Sequence, residues 1–379
     1  MFLYFTLAAM VVGLFTRPAE FQESVPAGQD GFQMPIPAEK SSEGWIAAWD
    51  GASDFGWRNS RHTKIENGIW KLPQESSVVR TSAEFCHYQM VVVYRLESDS
   101  EAMLLCNTNP SARQPGKDHT AIVLEPTDGH WAALSVSSTA DGVMAWNWSD
   151  ENLEFQEPVA ETKRQGPKRG YVGFRVSDGG LSIRQLWIRP LLQTPSLTSD
   201  RIFWDPRGLG EAEWSIEANE MTLRGGPGYL TLANQLPGNF ALQFQAKASA
   251  ATNSGVFFRC IPGEAMNGYE AQINNQFLEE DRRQPADCGT GGIFRRTDAR
   301  RVVASADQWF TETMIVNGNQ ISVWVDGYQV TDWSDQREPH RNPRKGQRRA
   351  SGELQIQAHD PEVDIQLREL RLKEFPNGR

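Results

Sequence analysis

The chain has 379 residues, of which 39% are hydrophobic and 23% are charged, and its formal net charge is −10. This apolar share is too high for an intrinsically disordered chain, and 32 Gly with 21 Pro are too few for a fibrous protein. The acidic balance argues against non-specific nucleic-acid binding, so we expect no nucleic-acid partner. The length suggests about two domains and permits three.

The first 16 residues are typical of a secretory signal peptide or an N-terminal anchor. The apolar run 2–15 is followed by Thr16, Arg17 and Pro18, and its length suits a signal better than a membrane span. No basic residue precedes the run and no clean A-x-A cleavage site follows it, so an uncleaved membrane tether stays open. Residues 17–42 predict a flexible linker. We expect an exported protein, periplasmic or associated with the cell envelope.

From Ser42 onward the chain consists of short β patterns separated by Gly, Asn and Asp. In the second half, Asn317-Gly318 and Asp326-Gly327 stand between runs of alternating apolar residues, which is the strongest short-range signal for a hairpin. Many short antiparallel strands at this spacing predict a β-sandwich or a barrel.

The two halves of the chain repeat one plan. Segments 181–188 and 365–372 match in their apolar positions, and a polar pair within each, Arg184-Gln185 and Arg368-Glu369, predicts a β-bulge in a terminal strand. The predicted units are a first β-sandwich domain at 43–191, a linker at 192–200 and a second β-sandwich domain at 201–375.

Four cysteines are divided equally between the two predicted domains. They are Cys86, Cys106, Cys260 and Cys288, and none has the C-x₂-C spacing of a zinc or thioredoxin-type site. One disulfide per domain in an exported protein and small buried thiols both fit this distribution. Neither alternative makes the cysteines catalytic.

Strand alternation predicts a polar face on two strands of the second domain. Segments 269–275 and 354–359 each turn apolar side chains to one side and acid, amide or imidazole groups to the other. Arg259, on the preceding strand, would add a guanidinium, and Trp309 and Trp324 are the available aromatic rings, although the pattern does not place them. These groups suit sugar hydroxyls and the apolar face of a sugar ring, although an ordinary solvated face also fits. The polar residues are Glu270, Gln272, Asn274, Gln355, Gln357 and His359.

Five short motifs follow one another in the second half. They are Ser254-Gly-Val-Phe-Phe-Arg259, Tyr269-Glu-Ala-Gln-Ile273, Asp307-Gln-Trp309, Asp326-Gly327 and Leu354-Gln-Ile-Gln-Ala-His359-Asp360. This ordered set, over residues 201–375, resembles the 3-keto-disaccharide hydrolase domain family, also described as 3-keto-glucoside lyase/2-hydroxy-glucal hydratase. The resemblance implies a concanavalin-like β-sandwich (jelly roll). The predicted fold class is therefore all-β, with two tandem domains of this kind.

The first copy departs from the family pattern. Trp49-Asp50-Gly51 and Phe55-Gly56-Trp57 look like its opening motif, but the later active-site motifs are missing from residues 43–191. We therefore interpret the first domain as divergent and non-catalytic. The second copy departs once, because Asn274 and Asn275 stand where the family usually has an acidic residue after its Tyr-Glu-x-Gln-Ile strand.

The resemblance implies a 3-keto-glycoside substrate. A ketone at C3 acidifies the C2 proton, so elimination of the glycosidic oxygen at C1 and addition of water give net hydrolysis. This chemistry needs a base, an acid and positive charge at the enolate. We expect His359 to serve as the base or the acid, Glu270 to take the complementary role, and Arg259 to stabilise the enolate. The expected substrate-binding residues are Gln272, Asn274, Gln357, Gln355 and Trp309.

Two other classes of function stay open. A non-catalytic carbohydrate-binding (lectin-like) protein of the cell envelope would use the same fold and face, and a structural envelope protein would bind no sugar. The expected partner is an oligosaccharide or 3-keto-glycoside. No cofactor is expected; a divalent cation could sit among Glu270, His359 and Asn274, but no motif demands one.

A basic segment, residues 337–349, interrupts the acidic chain. It has no interleaved aromatic residues, so a solvated loop at the rim of the cleft is favoured over a nucleic-acid site. Arg295-Arg296 and Arg300-Arg301 are expected close to it. If the loop binds anionic glycans, neutralising Arg348 and Arg349 should weaken that binding.

Overall fold

The computed structural model describes residues 31–74, 77–109, 119–148, 158–163, 168–192 and 195–376. The predicted signal or anchor segment lies outside the described residues, and so do residues 17–30 of the predicted linker 17–42. Export and membrane tethering therefore stay predictions. Within the described part of the chain, no helix is long and apolar enough to cross a membrane.

The chain is all-β, with one short helix, α1 (Ala38–Ser42), before the first strand. The strands of the first domain are β1 (Ile46–Ala47), β2 (Trp57–Arg58), β3 (Lys64–Glu66), β4 (Ile69–Pro73), β5 (Val79–Thr81), β6 (Tyr88–Leu96), β7 (Glu101–Thr108), β8 (Thr120–Leu124), β9 (Ala132–Ser138), β10 (Gly142–Trp148), β11 (Ala160–Lys163), β12 (Tyr171–Asp178) and β13 (Gly180–Pro190).

The second domain contains twelve strands. Short 3₁₀ turns lie immediately before and after the first of them, at Arg201–Phe203 and Pro206–Gly208. A third 3₁₀ turn spans Ala286–Cys288. The strands are β14 (Trp204–Asp205), β15 (Glu213–Glu217), β16 (Glu220–Arg224), β17 (Gly228–Leu232), β18 (Phe240–Ala248), β19 (Ser254–Cys260), β20 (Tyr269–Ile273), β21 (Phe310–Asn317), β22 (Gln320–Val325), β23 (Tyr328–Ser334), β24 (Glu353–Ala358) and β25 (Asp364–Glu374).

Each domain is a sandwich of two antiparallel sheets around an apolar core. In the first domain, an eight-stranded sheet, β11-β10-β9-β6-β13-β4-β3 with β1 on β13, faces a five-stranded sheet, β2-β5-β12-β7-β8. In the second, a five-stranded sheet, β14-β17-β24-β19-β20, faces a seven-stranded sheet, β15-β16-β25-β18-β21-β22-β23. The all-β sandwich prediction is confirmed.

Local sequence signals account for the shape of several strands. Asp326 and Gly327 both have positive φ (48° and 78°) and form the two-residue turn between the paired residues Val325 and Tyr328, as expected of an Asp-Gly hairpin. The pairing register shifts beside Arg184 in β13 and beside Glu369 in β25. Both terminal strands therefore contain the bulge that the sequence predicts.

The seven-stranded sheet is covered on both faces. Its inner side chains fill the core of the second domain, whereas Ala241, Ile315 and Trp324 on its outer face join the apolar cluster of the first domain. The Trp324 Nε1–H donates to the carbonyl oxygen of Ala47 at 3.1 Å. Because both faces are covered, β21 is buried at nearly every position, as is typical of a strand between two layers.

Polar contacts join the two domains beside this apolar contact. Asp332 of β23 accepts from Arg58 Nη2 at 2.9 Å and from the Ser82 hydroxyl, both in the first domain. Within its own domain, Asp332 also accepts from Gln320 at 2.8 Å. The Arg300 guanidinium donates to Asp50 at 2.8 Å and to the carbonyl oxygen of Gln329 at 2.7 Å. The Asp332 contacts join β23 to the first domain, and the Arg300 contact joins the segment that follows Arg295 to it.

The cysteine pair of the second domain is not joined. Cys260 and Cys288 are buried thiols, and Cys288 Sγ donates to the carbonyl oxygen of Thr297 at 3.1 Å. Burial raises the pKa of both thiols. Of the two alternatives that the sequence left open, a disulfide or buried thiols, the second is found for Cys260 and Cys288.

We expect Asp332→Asn to destabilise the folded protein by about 2–4 kcal/mol, because it removes a buried charge that pairs with Arg58 and accepts several hydrogen bonds. The measurement is the urea unfolding midpoint followed by Trp fluorescence. Asp364→Asn is the control, since the Arg224–Asp364 pair is half exposed at 58% and 48% and should contribute at most about 1 kcal/mol. Equal midpoints for the two variants would contradict the assignment of Asp332 as an interface anchor.

Candidate functional site

A cavity of about 480 Å³ lies against the five-stranded sheet of the second domain. Strands β19, β20 and β24 form its floor. The long connection between β20 and β21 and the basic loop between β23 and β24 form its walls. The lining residues are Asn253, Phe257, Met266, Gly268, Tyr269, Glu270, Gln272, Asp287, Phe294, Arg295, Arg296, Arg344, Gln357 and His359.

Glu270 projects into this cavity from β20, because Tyr269, Ala271 and Ile273 on the same strand take the opposite direction into the core. Its side chain is almost fully buried (8% exposed). Burial raises the pKa of Glu270 to about 8, and the nearby Asp287 carboxylate acts in the same direction, against Arg344 and Arg295. At neutral pH this carboxyl is therefore mostly protonated and able to donate.

Gly255 leaves the room that Glu270 occupies. A Cβ at this position would lie 2.7 Å from Glu270 Oε1 and 2.8 Å from its Cγ, well inside van der Waals contact. The neighbouring Ser254 hydroxyl donates to the carbonyl oxygen of Gln357 at 2.7 Å and ties β19 to β24. The Ser-Gly pair of the sequence thus gives the carboxyl its space and holds the floor together.

Amide groups lie beside the carboxyl. Gln272 Nε2 donates to Asn253 Oδ1 at 3.0 Å and to Asp287 Oδ2 at 3.2 Å, and Asn253 also donates to Asp287, at 3.1 Å. The side-chain oxygens of Gln272 and Gln357 are buried and accept no hydrogen bond from the described residues. Buried acceptors of this kind are costly unless a ligand or water donates to them.

His359 follows the last residue of β24 and lines the same cavity at its open side. Its side chain is 53% exposed, and Nδ1 lies 3.1 Å from Asp360 Oδ2. A carboxylate accepts, so this contact favours the tautomer with the proton on Nδ1 and leaves Nε2 as the basic nitrogen. Phe257 and Phe294 supply apolar surface to the same space, which suits one face of a sugar ring.

Three arginines make the cavity wall cationic. Arg296 donates to the carbonyl oxygens of Arg295 at 3.0 Å and of Arg344 at 3.1 Å. Arg344 in turn donates to the carbonyl oxygen of Met266 at 2.9 Å. These bonds join the 294–297 segment to the basic loop, so the expected proximity of Arg295-Arg296 to that loop is found.

Arg259 does not line the cavity, contrary to our expectation for an enolate-stabilising group. It occupies the bulge of β19 with φ of 52°, is 1% exposed, and donates to the carbonyl oxygens of Gly238 and Arg348. The bulge turns its side chain away from the face that simple alternation predicts. Arg348 is similarly engaged with backbone carbonyls, including that of Arg259 at 3.0 Å. Both residues hold the basic loop, and the cavity arginines lie elsewhere.

Three predicted sugar-binding residues also lie outside the cavity lining. Gln355 accepts from the Met266 amide at 2.7 Å and thereby positions the loop that Arg344 contacts. Asn274 accepts from the Gln276 amide at 2.9 Å in the turn after β20. Trp309 packs under the Arg368 guanidinium, 3.9 Å from the ring centroid, on the seven-stranded sheet. The cavity contains Glu270, Gln272, Gln357 and His359 from the expected set.

Sequence reasoning missed Asn253 and Asp287. Both lie in irregular segments, where the two-residue alternation of a strand cannot indicate which way a side chain points. Asp287 also has a positive φ of 44°. The signal available for the cavity arginines was their clustering at 295–296 and in the basic loop. That clustering indicates proximity but not direction.

The first domain differs at the equivalent strand. β8 ends its five-stranded sheet beside β7, as β20 ends its sheet beside β19. The residues of β8 that point away from the core are Ala121 and Val123, and Val123 is 62% exposed. The first domain therefore presents apolar side chains where β20 presents Glu270 and Gln272.

Among the described residues, no group of three or more His, Cys, Asp and Glu side chains could hold a metal ion. Asn274, one of the three groups considered for a divalent cation, does not line the cavity that Glu270 and His359 share. The expectation of no cofactor stays a prediction.

The raised pKa of Glu270 predicts a pH dependence of stability. Its pKa is about 4.5 when the chain is unfolded and about 8 when folded, so the unfolded state loses its proton first. The free energy of unfolding should therefore fall as the pH rises from about 4.5 to 8 and then level off. Glu270→Gln should flatten this decline, measured as the urea midpoint at a series of pH values.

Glu312 is the comparison for that experiment. It lies in the core, its oxygens accept no hydrogen bond from the described residues, and burial raises its pKa to about 8. Glu312→Gln should flatten the same decline, and the double variant should flatten it further. A Glu270→Gln protein with the wild-type slope would show that this carboxyl is ionised in the fold.

The second domain matches a known family. Residues 198–373 match the family described as the 3-keto-alpha-glucoside-1,2-lyase-like domain, which confirms the resemblance read from the motifs. None of the curated proteins compared with the chain matches it in sequence.

Solved structures with similar parts include a "putative glycosyl hydrolase" from Parabacteroides distasonis ATCC 8503, at 16% identity and a TM-score of 0.38, over 47% of this chain and 91% of that one. A second structure with that name and organism has 18% identity and a TM-score of 0.36, over 45% and 99%. The carbohydrate binding module CBM66 from Bacillus subtilis has 10% identity and a TM-score of 0.34, over 45% and 96%.

Proposed function

We propose that the 3-keto-alpha-glucoside-1,2-lyase-like domain at residues 198–373 cleaves 3-keto-glycosides by elimination followed by hydration. The family match supports a carbohydrate-related role. The observation that carries the proposal is that Glu270 and His359, an acid with a raised pKa and a partly exposed imidazole, line one cavity with amides and arginines. We further propose, from the apolar N-terminal run, that the protein works outside the cytoplasm.

His359 is the proposed base. Nε2 removes the C2 proton of the keto sugar, and the electron pair moves into the C3 carbonyl to form an enolate. The cavity arginines, rather than Arg259, supply positive charge to that enolate. We assign the enolate contact to Arg344, because it lines the cavity with Glu270 and His359 and, among the described residues, donates to only one carbonyl oxygen, that of Met266.

Glu270 is the proposed acid. As the enolate collapses and the C1–O bond breaks, the Glu270 carboxyl gives its proton to the departing glycosidic oxygen. Glu270 is then a carboxylate beside Arg344 and Arg295, and His359 is protonated. In the hydration step, Glu270 takes a proton from water as the water oxygen adds to C1, and His359 returns a proton to C2. Both groups end in their starting protonation states.

His359→Ala should lower kcat on 3-ketotrehalose or 3-ketosucrose by roughly 10²–10⁴-fold, the usual effect of removing a general base, with substrate binding retained. The assay follows release of the unoxidised sugar. His130→Ala, an exposed histidine of the first domain, is the control and should keep wild-type turnover. Binding without turnover by the wild-type protein would instead support the carbohydrate-binding alternative.

The pH profile gives a separate test of Glu270. Because its protonated form is the proposed acid, kcat/KM should fall as the pH rises through about 8. Glu270→Gln should lower kcat and abolish that alkaline limb. A variant that keeps the limb would exclude Glu270 as the titrating group.

A further inference from the structure

The cavity has more positive charge than the proposed elimination requires. One guanidinium is enough to face an enolate, but Arg295, Arg296 and Arg344 all line the cavity. The two carboxyl groups in the lining are Glu270, mostly protonated at neutral pH, and Asp287, which accepts from Gln272 and Asn253. The wall therefore has a surplus of cationic groups.

Arg296 and Arg344 are held in place by backbone carbonyl oxygens rather than by acids. Within the described part of the chain, none of the three cavity arginines forms a salt bridge. A guanidinium has five N–H donors, so donors remain on Arg296 and Arg344 after these bonds. Arg295 is exposed and contacts the Phe294 ring, 5.0 Å from its centroid.

This arrangement differs from that of other arginines in the same domain. Arg337 and Arg283 form salt bridges with Asp335 and Asp281 two residues away, and Arg300 pairs with Asp50. The cavity arginines thus keep an uncompensated charge in a protein whose formal net charge is −10. Arg295 and Arg344 are exposed, whereas Arg296 is half-buried, and burial together with the nearby Arg337 lowers the pKa of its guanidinium. A bound anion would offset the cost of keeping Arg296 charged there.

We propose that the substrate carries an anionic substituent, a carboxylate or a sulfate ester, on its leaving sugar, and that Arg295 and Arg296 bind it. This inference rests on the proposed function. Arg295 is exposed at the cavity wall, whereas Glu270 is buried at the floor. In this proposal the leaving sugar, whose oxygen the Glu270 carboxyl protonates, lies on the Arg295 side of the cavity. A planar carboxylate suits the two parallel N–H groups of a guanidinium.

The test compares three 3-keto-glucosides that differ in the leaving sugar: glucose, glucuronate and glucose 6-sulfate. We expect kcat/KM for one or both anionic substrates to exceed that for the neutral one by about tenfold or more at low salt. Raising the salt should shrink this ratio. Arg295→Gln should bring the ratio towards one. Lys345→Gln, which removes an exposed charge beside Arg344 that does not line the cavity, should leave the ratio unchanged.

Equilibrium binding of methyl glucuronide and methyl glucoside, neither of which can react, separates this inference from the catalytic proposal. Preferential binding of the glucuronide without turnover of any keto-glycoside would keep the anionic ligand and overturn the elimination. Equal turnover of the three substrates, with a ratio that Arg295→Gln does not change, would overturn the anionic substituent and leave the elimination standing. No turnover and no binding would overturn both.

Discussion

The alternation of side chains along β20 is the constraint on which the site depends. One face of this strand completes the apolar core through Tyr269, Ala271 and Ile273, so the other face must present Glu270 and Gln272 outward. The strand cannot slip by one residue without exchanging its whole core face for polar groups. Core packing in this way fixes the position of a carboxyl that would otherwise prefer water. The cost of its burial appears as its raised pKa.

The fold follows from the sequence where a periodic pattern or a turn signal exists. The alternating strands, the Asp326-Gly327 hairpin and the bulges of β13 and β25 are all found where the sequence predicts them. Glu270, Gln272 and Gln357 could be placed on one face for the same reason. These predictions use only the two-residue period of a strand and the backbone preferences of Gly and Asp.

The rest of the site could not be derived in this way. Arg259 sits within a bulge, where one irregular residue reverses the direction that alternation assigns. Asp287, Asn253 and the cavity arginines lie outside the regular strands, and their directions depend on hydrogen bonds between distant segments, such as that from Arg296 to the Arg344 carbonyl. The chemical types that the cavity contains were predictable, but the choice among several arginines was not.

Arg300 of the second domain is held by contacts with the first domain, so the position of this side chain depends on both domains. Arg300 is stacked between Phe55 of one domain and Tyr328 of the other, 4.2 and 4.1 Å from their ring centroids, five residues after Arg295. Cutting the chain at the linker would leave this guanidinium without Asp50 and would expose Trp324 to water. The first domain thereby holds the segment that follows Arg295, so one wall of the cavity continues directly into the contact between the two domains.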